Sequence, residues 1–524
     1  MKYSMTIFLL CLLTVGYSQT QIILQQNNVK AYLNTSGHFF NDNLGVSAGY
    51  EVPAGSGVNA IYSNAFWFSG TDINGGIRLA AQTYSSGNFQ DYYPGPLSTF
   101  GGQLGVYGDA EITAAQMAYY DQIWSVSAAE IQNHIQNYNT AGYTPISSIA
   151  TWPAHGEVNL GQAYYLAPFV DANFDGSYNP MDGDYPKIRG DKAAYMILND
   201  KGGLHFGSVG EPIGLELHVM VYQFSASNHL DQTTFVNIRY INRGTQTLYD
   251  FKFSNFLDPD IGNSNDDFMG TNSNLNLVYA YNSSNIDSLY GSAPPAIGVM
   301  SLCSPIESSC YFTNTGFAEL PNTSSQFYGY MNAQWGNSGL GFTQGGNGYG
   351  GTVPTNFIYD DFNTWSELTE GNAPYDKRVL MTLGAGFNGH TLFPGYQGNI
   401  DLAFIYARDS TNIGSVEALF NVADSVQGFF DAQENFSCES ILLENAEQQN
   451  QSFIKLFPNP AVDYFTVDLA GEFVIEIYNL NGQELFKKDK LIGKSQISPN
   501  LPAGVYLVKV TQSGQKHFKK LIIN

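Results

Sequence analysis

The clearest pattern of hydrophobic positions in the chain is a succession of β-rich segments of about ten residues, the last of which alternates apolar and polar residues. Three such segments follow one another at 215–224, 233–241 and 247–257. A period of two is typical of a half-buried β-strand. The NRGT sequence between the second and third segments favours a turn. We therefore predict that these segments form a meander in one antiparallel sheet.

Two segments instead repeat apolar residues with the period of a helix. Residues 127–138 begin with Ser127 and Glu130 at the spacing of a capping box. Residues 414–430 place one apolar stripe on a helix, formed by Val416, Leu419, Ala423, Val426 and Phe430. Strand patterns dominate the rest of residues 19–438. The pattern predicts a mainly β fold, a β-sandwich-type body with a few covering helices, either as one unit or as two subdomains divided near residue 165.

The pattern changes again near the C-terminus. From Phe453 onward, short alternating strands are separated by turn residues, and Asn481-Gly482 favours a type I′ hairpin. The polar residues 439–452 before this region are typical of a linker. We predict a separate β-sandwich of the immunoglobulin-like type over residues 453–524.

The N-terminus has the features of a secretory signal peptide over residues 1–18. Lys2 is followed by an apolar run, and small residues precede Gln19. The run is too short for a transmembrane helix, which needs about 20 apolar residues. We therefore expect an exported chain without a transmembrane segment.

Charge is unevenly distributed between the two predicted regions. Residues 19–450 carry 40 acidic and 12 basic residues, whereas residues 451–524 carry nine lysines and six acidic residues. A body with such a large negative net charge repels nucleic acids and anionic membrane surfaces. The composition therefore excludes nucleic-acid partners and favours divalent cations.

Residues 171–182, DANFDGSYNPMD, have the ligand spacing of an EF-hand-like calcium loop. The predicted ligands are Asp171, Asn173, Asp175, Ser177, Asn179 and Asp182. Gly176, at the sixth position, would allow the sharp turn. Pro180 and Pro186 prevent the helix that follows such loops in dockerins. We predict a structural calcium ion without a catalytic role; a metal-free polar turn is the alternative.

A second acidic group follows the predicted strand that ends at Leu257. It consists of Asp258, Asp260, Asp266 and Asp267. Carboxylates this close in sequence repel one another unless a cation or solvent separates their charges. The spacing leaves two alternatives open, a cation site and a solvated acidic loop.

Three cysteines remain after the signal peptide. Cys303 and Cys310 enclose a short segment that an exported protein can close with a disulfide bond, because its compartment is oxidising. No CxxC metal pattern is present. We predict a Cys303–Cys310 bridge, which leaves Cys438 unpaired.

The C-terminal region resembles the type A (Por) C-terminal sorting domain of proteins exported by the type IX secretion system of Bacteroidota. The resemblance covers the whole region and is carried by FPNP at 457–460, IYNLNGQ at 477–483, LPAGVYLVKV at 501–510 and KKLIIN at 519–524. It implies that residues 453–524 interact with the type IX translocon at the outer membrane and with a sortase-like peptidase. It also implies attachment of the body to surface lipopolysaccharide, or its release.

The body resembles a family of uncharacterised exported proteins, a resemblance that implies no activity. Its recurring segments are residues 64–84, 167–191, 256–282 and 376–386.

Sequence motifs for catalysis are weak. GVSAG at 45–49 matches a nucleophile elbow, but the helix that this motif requires does not follow it. No catalytic residue is therefore predicted. The interpretation we favour is a calcium-stabilised, non-enzymatic protein of the cell surface or extracellular space, engaged in adhesion or glycan contact. The alternative is a secreted polysaccharide hydrolase, because the separation of a catalytic carboxylate pair cannot be deduced from spacing along the chain.

Overall fold

A computed structural model of the protein describes residues 20–42, 47–84, 89–99, 107–386, 388–433, 436, 455–459, 461–468, 471–479, 484–502, 504–512 and 515–523. The chain divides into two compact units between residues 437 and 438. The predicted signal peptide at 1–18, the linker at 439–452, Cys438 and the Asn481-Gly482 turn lie outside the described residues.

The strands of the body, numbered along the chain, are β1 Gln21–Gln25, β2 Lys30–Asn34, β3 His38–Phe39, β4 Tyr50–Glu51, β5 Asn59–Ile61, β6 Ser63–Thr71, β7 Ile77–Ala80, β8 Tyr93–Pro94, β9 Trp124–Ser127, β10 Phe169–Val170, β11 Tyr185–Pro186, β12 Lys192–Asn199, β13 Leu215–Gln223, β14 Thr233–Asn242, β15 Tyr249–Asp258, β16 Asp267–Asn272, β17 Leu277–Asn282, β18 Ile286–Asp287, β19 Gly291–Ser292, β20 Ala296–Ser301, β21 Ile306–Phe312, β22 Arg378–Gly384 and β23 Gln397–Ala407.

The helices of the body are α1 Ala114–Tyr120, α2 Ala128–Asn137, α3 Ser147–Ala150, α4 Ser324–Met331, α5 Glu367–Glu370 and α6 Asn412–Asp431. Short 3₁₀ helices span Val158–Leu160, Pro180–Asp182, His229–Gln232, Ser264–Asp266 and Ser273–Leu275. Among the described residues, no helix is both long and apolar enough to span a membrane.

Two large antiparallel sheets form the body. The first has ten strands, with the path β21-β22-β15-β6-β3-β2-β4-β5, and β1 and β7 pair with β2 and β6. The second has nine strands, with the path β16-β17-β20-β23-β14-β13-β12-β8, and β9 pairs with β12. Two small hairpins, β10-β11 and β18-β19, lie outside these sheets. The predicted mainly β fold with a few helices is confirmed.

The two sheets pack face to face through aromatic side chains. Phe40 contacts Phe404 of β23 with ring centroids 4.9 Å apart, and Phe68 of β6 contacts Tyr240 of β14 at 5.6 Å. The second sheet is also covered on its other face, where Tyr222 and its neighbours belong to a separate apolar cluster with α6. We had predicted a half-buried sheet, but this sheet is buried on both faces.

The two predicted helices are confirmed. Helix α2 begins after Ser127, whose Oγ accepts a hydrogen bond from the Glu130 amide at 3.2 Å, while Glu130 Oε2 accepts one from the Ser127 amide at 2.7 Å. Helix α6 buries all five residues of its predicted stripe. It packs on β17, β20 and β23 and so covers the second sheet.

The predicted meander is wrong after its first hairpin. Strands β13 and β14 pair as expected, but β15 leaves their sheet and pairs with β6 and β22 in the other one. The alternation of residues in β15 suits either sheet, because local periodicity specifies the buried face and not the partner strand. Strands before and after residue 165 also share a sheet, since β9 pairs with β12. Residue 165 thus does not separate two compact units.

The C-terminal unit contains two small sheets. Its strands are β24 Lys455–Phe457, β25 Phe465–Asp468, β26 Glu472–Tyr478, β27 Glu484–Ile492, β28 Ser495–Ile497, β29 Gly504–Gln512 and β30 Gln515–Ile523. One sheet has the order β24-β25-β28 and the other β27-β26-β29-β30. Phe465, Ile475 and Val508 belong to one apolar core between them. The unit is the immunoglobulin-like sandwich that we predicted.

Candidate functional site

A pocket of about 270 Å³ opens where β15 ends and β22 begins. It is lined by Tyr62, Tyr84, Asp258, Asp260, Asp376 and Arg378, and we refer to it as the Asp260 pocket. Because β15 and β22 are antiparallel neighbours with Leu257 opposite Val379, the end of one strand and the start of the other meet at the same sheet edge. Side chains more than a hundred residues apart are thereby brought together.

Backbone hydrogen bonds fix the acidic segment of the pocket. The Tyr62 amide donates to the Asp258 carbonyl at 2.8 Å, and the Asp260 amide donates to the Ala60 carbonyl at 3.1 Å. The chain after β15 is thus anchored to β5 and the start of β6, which fixes the backbone from which both carboxylates extend.

Arg378 and Tyr84 form the polar wall of the pocket. Tyr84 donates its hydroxyl proton to Asp258 Oδ2 at 2.7 Å and itself accepts a hydrogen bond from Arg378 Nε. Arg378 Nη1 lies 3.1 Å from Asp376 Oδ2, and its Nε lies 3.5 Å from Asp258 Oδ1. The Tyr62 and Tyr84 rings meet edge to face with centroids 6.1 Å apart.

The three carboxylates lie close enough to interact strongly. One oxygen from each of Asp258, Asp260 and Asp376 lies within 4.8 Å of the other two. Burial raises the pKa of Asp258 to about 6, against the opposing charge of Arg378. Burial and the charges of Asp258 and Asp376 raise the pKa of Asp260 to about 8. Crowded carboxylates with raised pKa values are typical of acid–base and cation sites.

The second predicted acidic group is divided by the fold. Asp258 and Asp260 reach the pocket, whereas Asp266 and Asp267 do not line it. Asp267 is buried on β16, where its Oδ2 accepts a hydrogen bond from the Ile261 amide at 3.0 Å. Asp266 accepts one from Asn282 Nδ2 at 2.9 Å. Both therefore have local hydrogen-bonding partners of their own.

The other pocket residues were missed by sequence reasoning. Asp376 and Arg378 lie at the start of β22, which pairs with β15. Tyr84 follows the end of β7 at Ala80. The cluster of charged residues at 376–378 directly before an apolar strand was the available signal. This cluster indicates a site only once β15 is known to pair with β22, and the periodicity of the sequence does not specify that pairing.

The predicted calcium loop forms a compact turn. Asp171 Oδ2 accepts a hydrogen bond from the Gly176 amide at 2.7 Å, and Asp175 Oδ1 accepts one from the Ser177 amide at 2.7 Å. Asn173 Oδ1 accepts one from the Asp175 amide at 2.9 Å. Gly176 adopts a φ of +80°, the left-handed conformation that the predicted sharp turn needs. Most of the side-chain oxygens of this loop thus bind its own backbone.

A residue outside the motif organises the end of this loop. Asp184 is fully buried and accepts hydrogen bonds from the Ala172 and Asn179 amides, both at 2.8 Å. Asp182, the predicted twelfth-position ligand, is exposed in the 3₁₀ helix and accepts a hydrogen bond from Asn179 Nδ2 at 2.7 Å. We refer to residues 171–184 as the 171–184 loop.

Two histidines contribute to buried polar networks. His134 is buried because α2 turns it towards the 171–184 loop, where its Nε2 lies 3.0 Å from the Asp184 carbonyl oxygen. His218 lies on β13 and contacts Glu216 Oε1 at 2.8 Å and the Tyr195 hydroxyl at 2.6 Å. Burial lowers the pKa of His218 to about 4. The ring is therefore neutral at physiological pH and part of a structural network.

The predicted Cys303–Cys310 disulfide is wrong. Cys310 is a free thiol buried in β21, the strand at the end of the first sheet beside β22, whereas Cys303 is disulfide-bonded elsewhere. Cys310 contributes to the apolar core of the body, where burial raises its pKa well above the usual value. Spacing along the chain did not reveal that the strand turns this side chain inward.

The C-terminal unit matches a known family. Residues 455–524 match the secretion system C-terminal sorting domain. The resemblance seen in the sequence is confirmed, and the protein is a substrate of the type IX secretion system, exported to the cell surface or released. The sorting domain implies handling by the type IX machinery.

Other comparisons give weaker matches, each to part of the chain. An endo-acting ulvan lyase from Formosa agariphila is 31% identical over 125 residues, which cover 23% of this chain and 23% of that protein. The match thus spans less than a quarter of the curated relative. Among solved structures, a polysaccharide lyase is 8% identical with a TM-score of 0.20, covering 65% of this chain and 37% of its own. A β-glucuronidase from Ruminococcus gnavus is 10% identical with a TM-score of 0.12, covering 52% and 36%. TM-scores this low do not establish a shared fold.

Proposed function

We propose that the exported body is a non-enzymatic, calcium-stabilised protein of the cell surface or extracellular space that contacts glycans through the Asp260 pocket. The observation that supports this proposal is the presence, in one small pocket, of two tyrosine rings, three carboxylates and a guanidinium group. Tyrosine offers an apolar face for the C–H side of a sugar ring and a hydroxyl for hydrogen bonding. The carboxylates and Arg378 supply acceptors and donors for sugar hydroxyls.

The size and charge of the pocket limit the class of glycan. Its volume of about 270 Å³ is near the lower end of the range of about 300–1,000 Å³ typical of ligand pockets. It therefore suits one sugar unit, at a chain end or on a branch. Three carboxylates and one guanidinium group leave the pocket acidic, and the body as a whole is strongly acidic. Neutral glycans are thus favoured over polyanionic ones.

The carboxylate geometry favours binding over hydrolysis. Retaining glycosidases hold their two carboxyl groups about 5–5.5 Å apart and inverting ones about 6.5–9.5 Å apart. Here one oxygen of each of the three carboxylates lies within 4.8 Å of the other two, and Asp258 is buried with one oxygen bound to Tyr84. This close spacing of three groups, one of them already bound to Tyr84, supports a binding role.

A polysaccharide-degrading enzyme is the second candidate function. It is supported by the partial sequence match to a protein named as an endo-acting ulvan lyase. In that case Asp258 or Asp260 would act on the substrate, and the carboxylates would not serve only as hydrogen-bonding groups.

A glycan array with the purified full chain, run beside an assay of reducing-sugar release, tests the two candidates. We expect retention of neutral glycans without release of reducing ends, and at least tenfold weaker binding for Tyr62→Ala. Tyr249→Ala is the matched control, because Tyr249 is an exposed tyrosine at the opposite end of β15. Reducing-sugar release that Asp260→Asn abolishes would instead establish the enzyme. Equal glycan binding by Tyr62→Ala and the parent would reject the pocket as the contact site.

The 171–184 loop supports the calcium-stabilised part of the proposal. Its residues at positions 1, 3 and 5 are Asp171, Asn173 and Asp175, and the loop already has the turn that Gly176 permits. An ion there would neutralise carboxylates in a connection that is anchored by buried Asp184. It would hold the connection in shape and take no part in catalysis, because the ligands of such a loop fill the coordination sphere.

We also propose that the sorting domain is removed by a sortase-like peptidase and that the body becomes attached to surface lipopolysaccharide. The proposal rests on the sorting domain at 455–524. Immunoblots of the native secreting cell should show the body as a ladder of modified species in the membrane fraction, lacking the domain. A single unmodified band of full-length mass would reject both steps.

A further inference from the structure

We propose that Asp258, Asp260 and Asp376 bind one calcium ion in the Asp260 pocket. This site is separate from the 171–184 loop, and the proposal does not require that the pocket binds a glycan.

The first observation is the convergence of three hard oxygen ligands. One oxygen of each carboxylate lies within 4.8 Å of the other two. Calcium binds oxygen at about 2.3–2.6 Å, so a single ion can contact oxygens that are up to about 5 Å apart. The three residues come from two antiparallel neighbouring strand ends, which fixes their spacing better than an isolated loop would. Solvent can complete the six to eight ligands that calcium takes.

The second observation is a buried oxygen of Asp258 that makes no hydrogen bond, next to a half-buried Asp260 carboxylate. Asp258 is 2% exposed, and its Oδ1 makes no hydrogen bond although its Oδ2 accepts one from Tyr84. Within the described ranges, Asp260 is half-buried, and the structure shows neither a hydrogen bond nor an ion pair to its carboxylate. A buried acceptor without a hydrogen bond is rare and costly, and a bound cation would satisfy Asp258 Oδ1 and also contact the Asp260 carboxylate.

The third observation is an imbalance of charge. Arg378 faces Asp376 at 3.1 Å and Asp258 at 3.5 Å, and it is the basic residue that lines the pocket. The neighbouring Lys377 is directed to buried Glu367, 2.8 Å away, and does not line the pocket. When all three carboxylates are ionised, they exceed the single guanidinium group by two negative charges, which a divalent cation matches.

Calcium titration calorimetry, with tyrosine-sensitised terbium luminescence as a second signal, tests the site in the full chain. The 171–184 loop is first inactivated by Asp171→Ala together with Asp175→Ala. In that background we expect one remaining calcium site in the range of about 10⁻⁴ to 10⁻³ M that is typical of extracellular modules. Asp260→Asn and Asp376→Asn should each weaken it at least tenfold. Terbium emission excited through tyrosine should fall in parallel, because Tyr62 and Tyr84 line the pocket.

The matched control is Asp266→Asn, which neutralises a carboxylate of the same sequence segment outside the pocket. It should leave the affinity unchanged, and circular dichroism should show that every variant is folded. Folded protein without a calcium site in the loop-inactivated background would overturn the proposal. Equal affinities in Asp260→Asn, Asp376→Asn and their parent would also overturn it, as would tighter binding of magnesium than of calcium. Glycan binding is measured separately, so either proposal can fail while the other stands.

Discussion

The 171–184 loop and the Asp260 pocket both gather carboxylates, but from different distances along the chain. In the loop, Asp171 and Asp175 accept hydrogen bonds from amides no more than five residues away. In the pocket, Asp258 and Asp376 are 118 residues apart and meet because β15 pairs with β22. The loop carboxylates are therefore largely satisfied by their own backbone, whereas the pocket carboxylates face one another.

Because of this difference, a bound cation would have a different effect in each region. Within the described ranges, the pocket is the place where three acidic side chains converge within 4.8 Å. The loop has the recognisable ligand spacing, yet its carboxylates serve as turn-forming acceptors without an ion. In the 171–184 loop, residues close in sequence form a turn that a calcium ion would stabilise further. In the Asp260 pocket, residues distant in sequence bring together negative charges that a calcium ion would neutralise.

The largest expected effect concerns the residue that anchors the loop. Asp184→Ala should lower the free energy of unfolding by about 2–3 kcal/mol, because it removes a fully buried carboxylate that accepts hydrogen bonds from the Ala172 and Asn179 amides. Asp182→Ala, at the exposed motif position, should change it by no more than about 0.5 kcal/mol. Urea denaturation in the presence of chelator measures both. Equal losses would contradict the account in which Asp184, rather than the motif residue Asp182, anchors the loop.

The next prediction is that removing one carboxylate changes the free energy of unfolding in opposite directions in the pocket and in the loop. In chelator, Asp260→Asn should raise the free energy of unfolding by about 1 kcal/mol, because it removes a carboxylate that faces two others without a partner. Asp171→Ala should lower it by about 1 kcal/mol, because the Gly176 and Asp175 amides lose their acceptor. Urea denaturation of both variants gives the two signs. Destabilisation by Asp260→Asn would show that its carboxylate is already satisfied.

The last effect, of a size similar to the previous one or smaller, is the stabilisation by calcium at the loop. With a dissociation constant of about 10⁻⁴ to 10⁻³ M, 1 mM calcium should stabilise the body by about 0.4–1.4 kcal/mol at this site. Differential scanning calorimetry of Asp260→Asn, in which the pocket is inactivated, isolates the loop. Its melting temperature should fall on chelation, and adding Asp175→Ala should remove that dependence. A melting curve of Asp260→Asn that does not respond to chelator would leave the 171–184 loop as a metal-free polar turn.

Local features of the fold were predictable where short-range physics dominates. The Ser127–Glu130 cap, the buried stripe of α6 and the strands β13 and β14 all follow from residues a few positions apart. The sorting domain was recognisable because its motifs cover the whole unit. The partner of β15 was not predictable, because alternation specifies which face is buried and leaves the neighbouring strand unspecified.

Only part of the candidate site was predictable, again because the sequence pattern does not specify which strands pair. Asp258 and Asp260 were identified as an acidic pair beyond a strand, but Asp376 and Arg378 join them through strand pairing alone. The error at Cys303 and Cys310 has a related cause. Their spacing in the sequence allows a bridge, but the strand at 306–312 turns Cys310 into the core. Long-range pairing and side-chain direction are three-dimensional facts that spacing does not contain.

The most direct test of the calcium site is an anomalous diffraction experiment. Crystals of the full chain grown with calcium, and a second set soaked with terbium, would locate each ion by its anomalous signal. We expect a peak about 2.3–2.6 Å from carboxylate oxygens of Asp258, Asp260 and Asp376. An ordered pocket without a peak, at calcium concentrations well above 1 mM, would contradict the proposed calcium site.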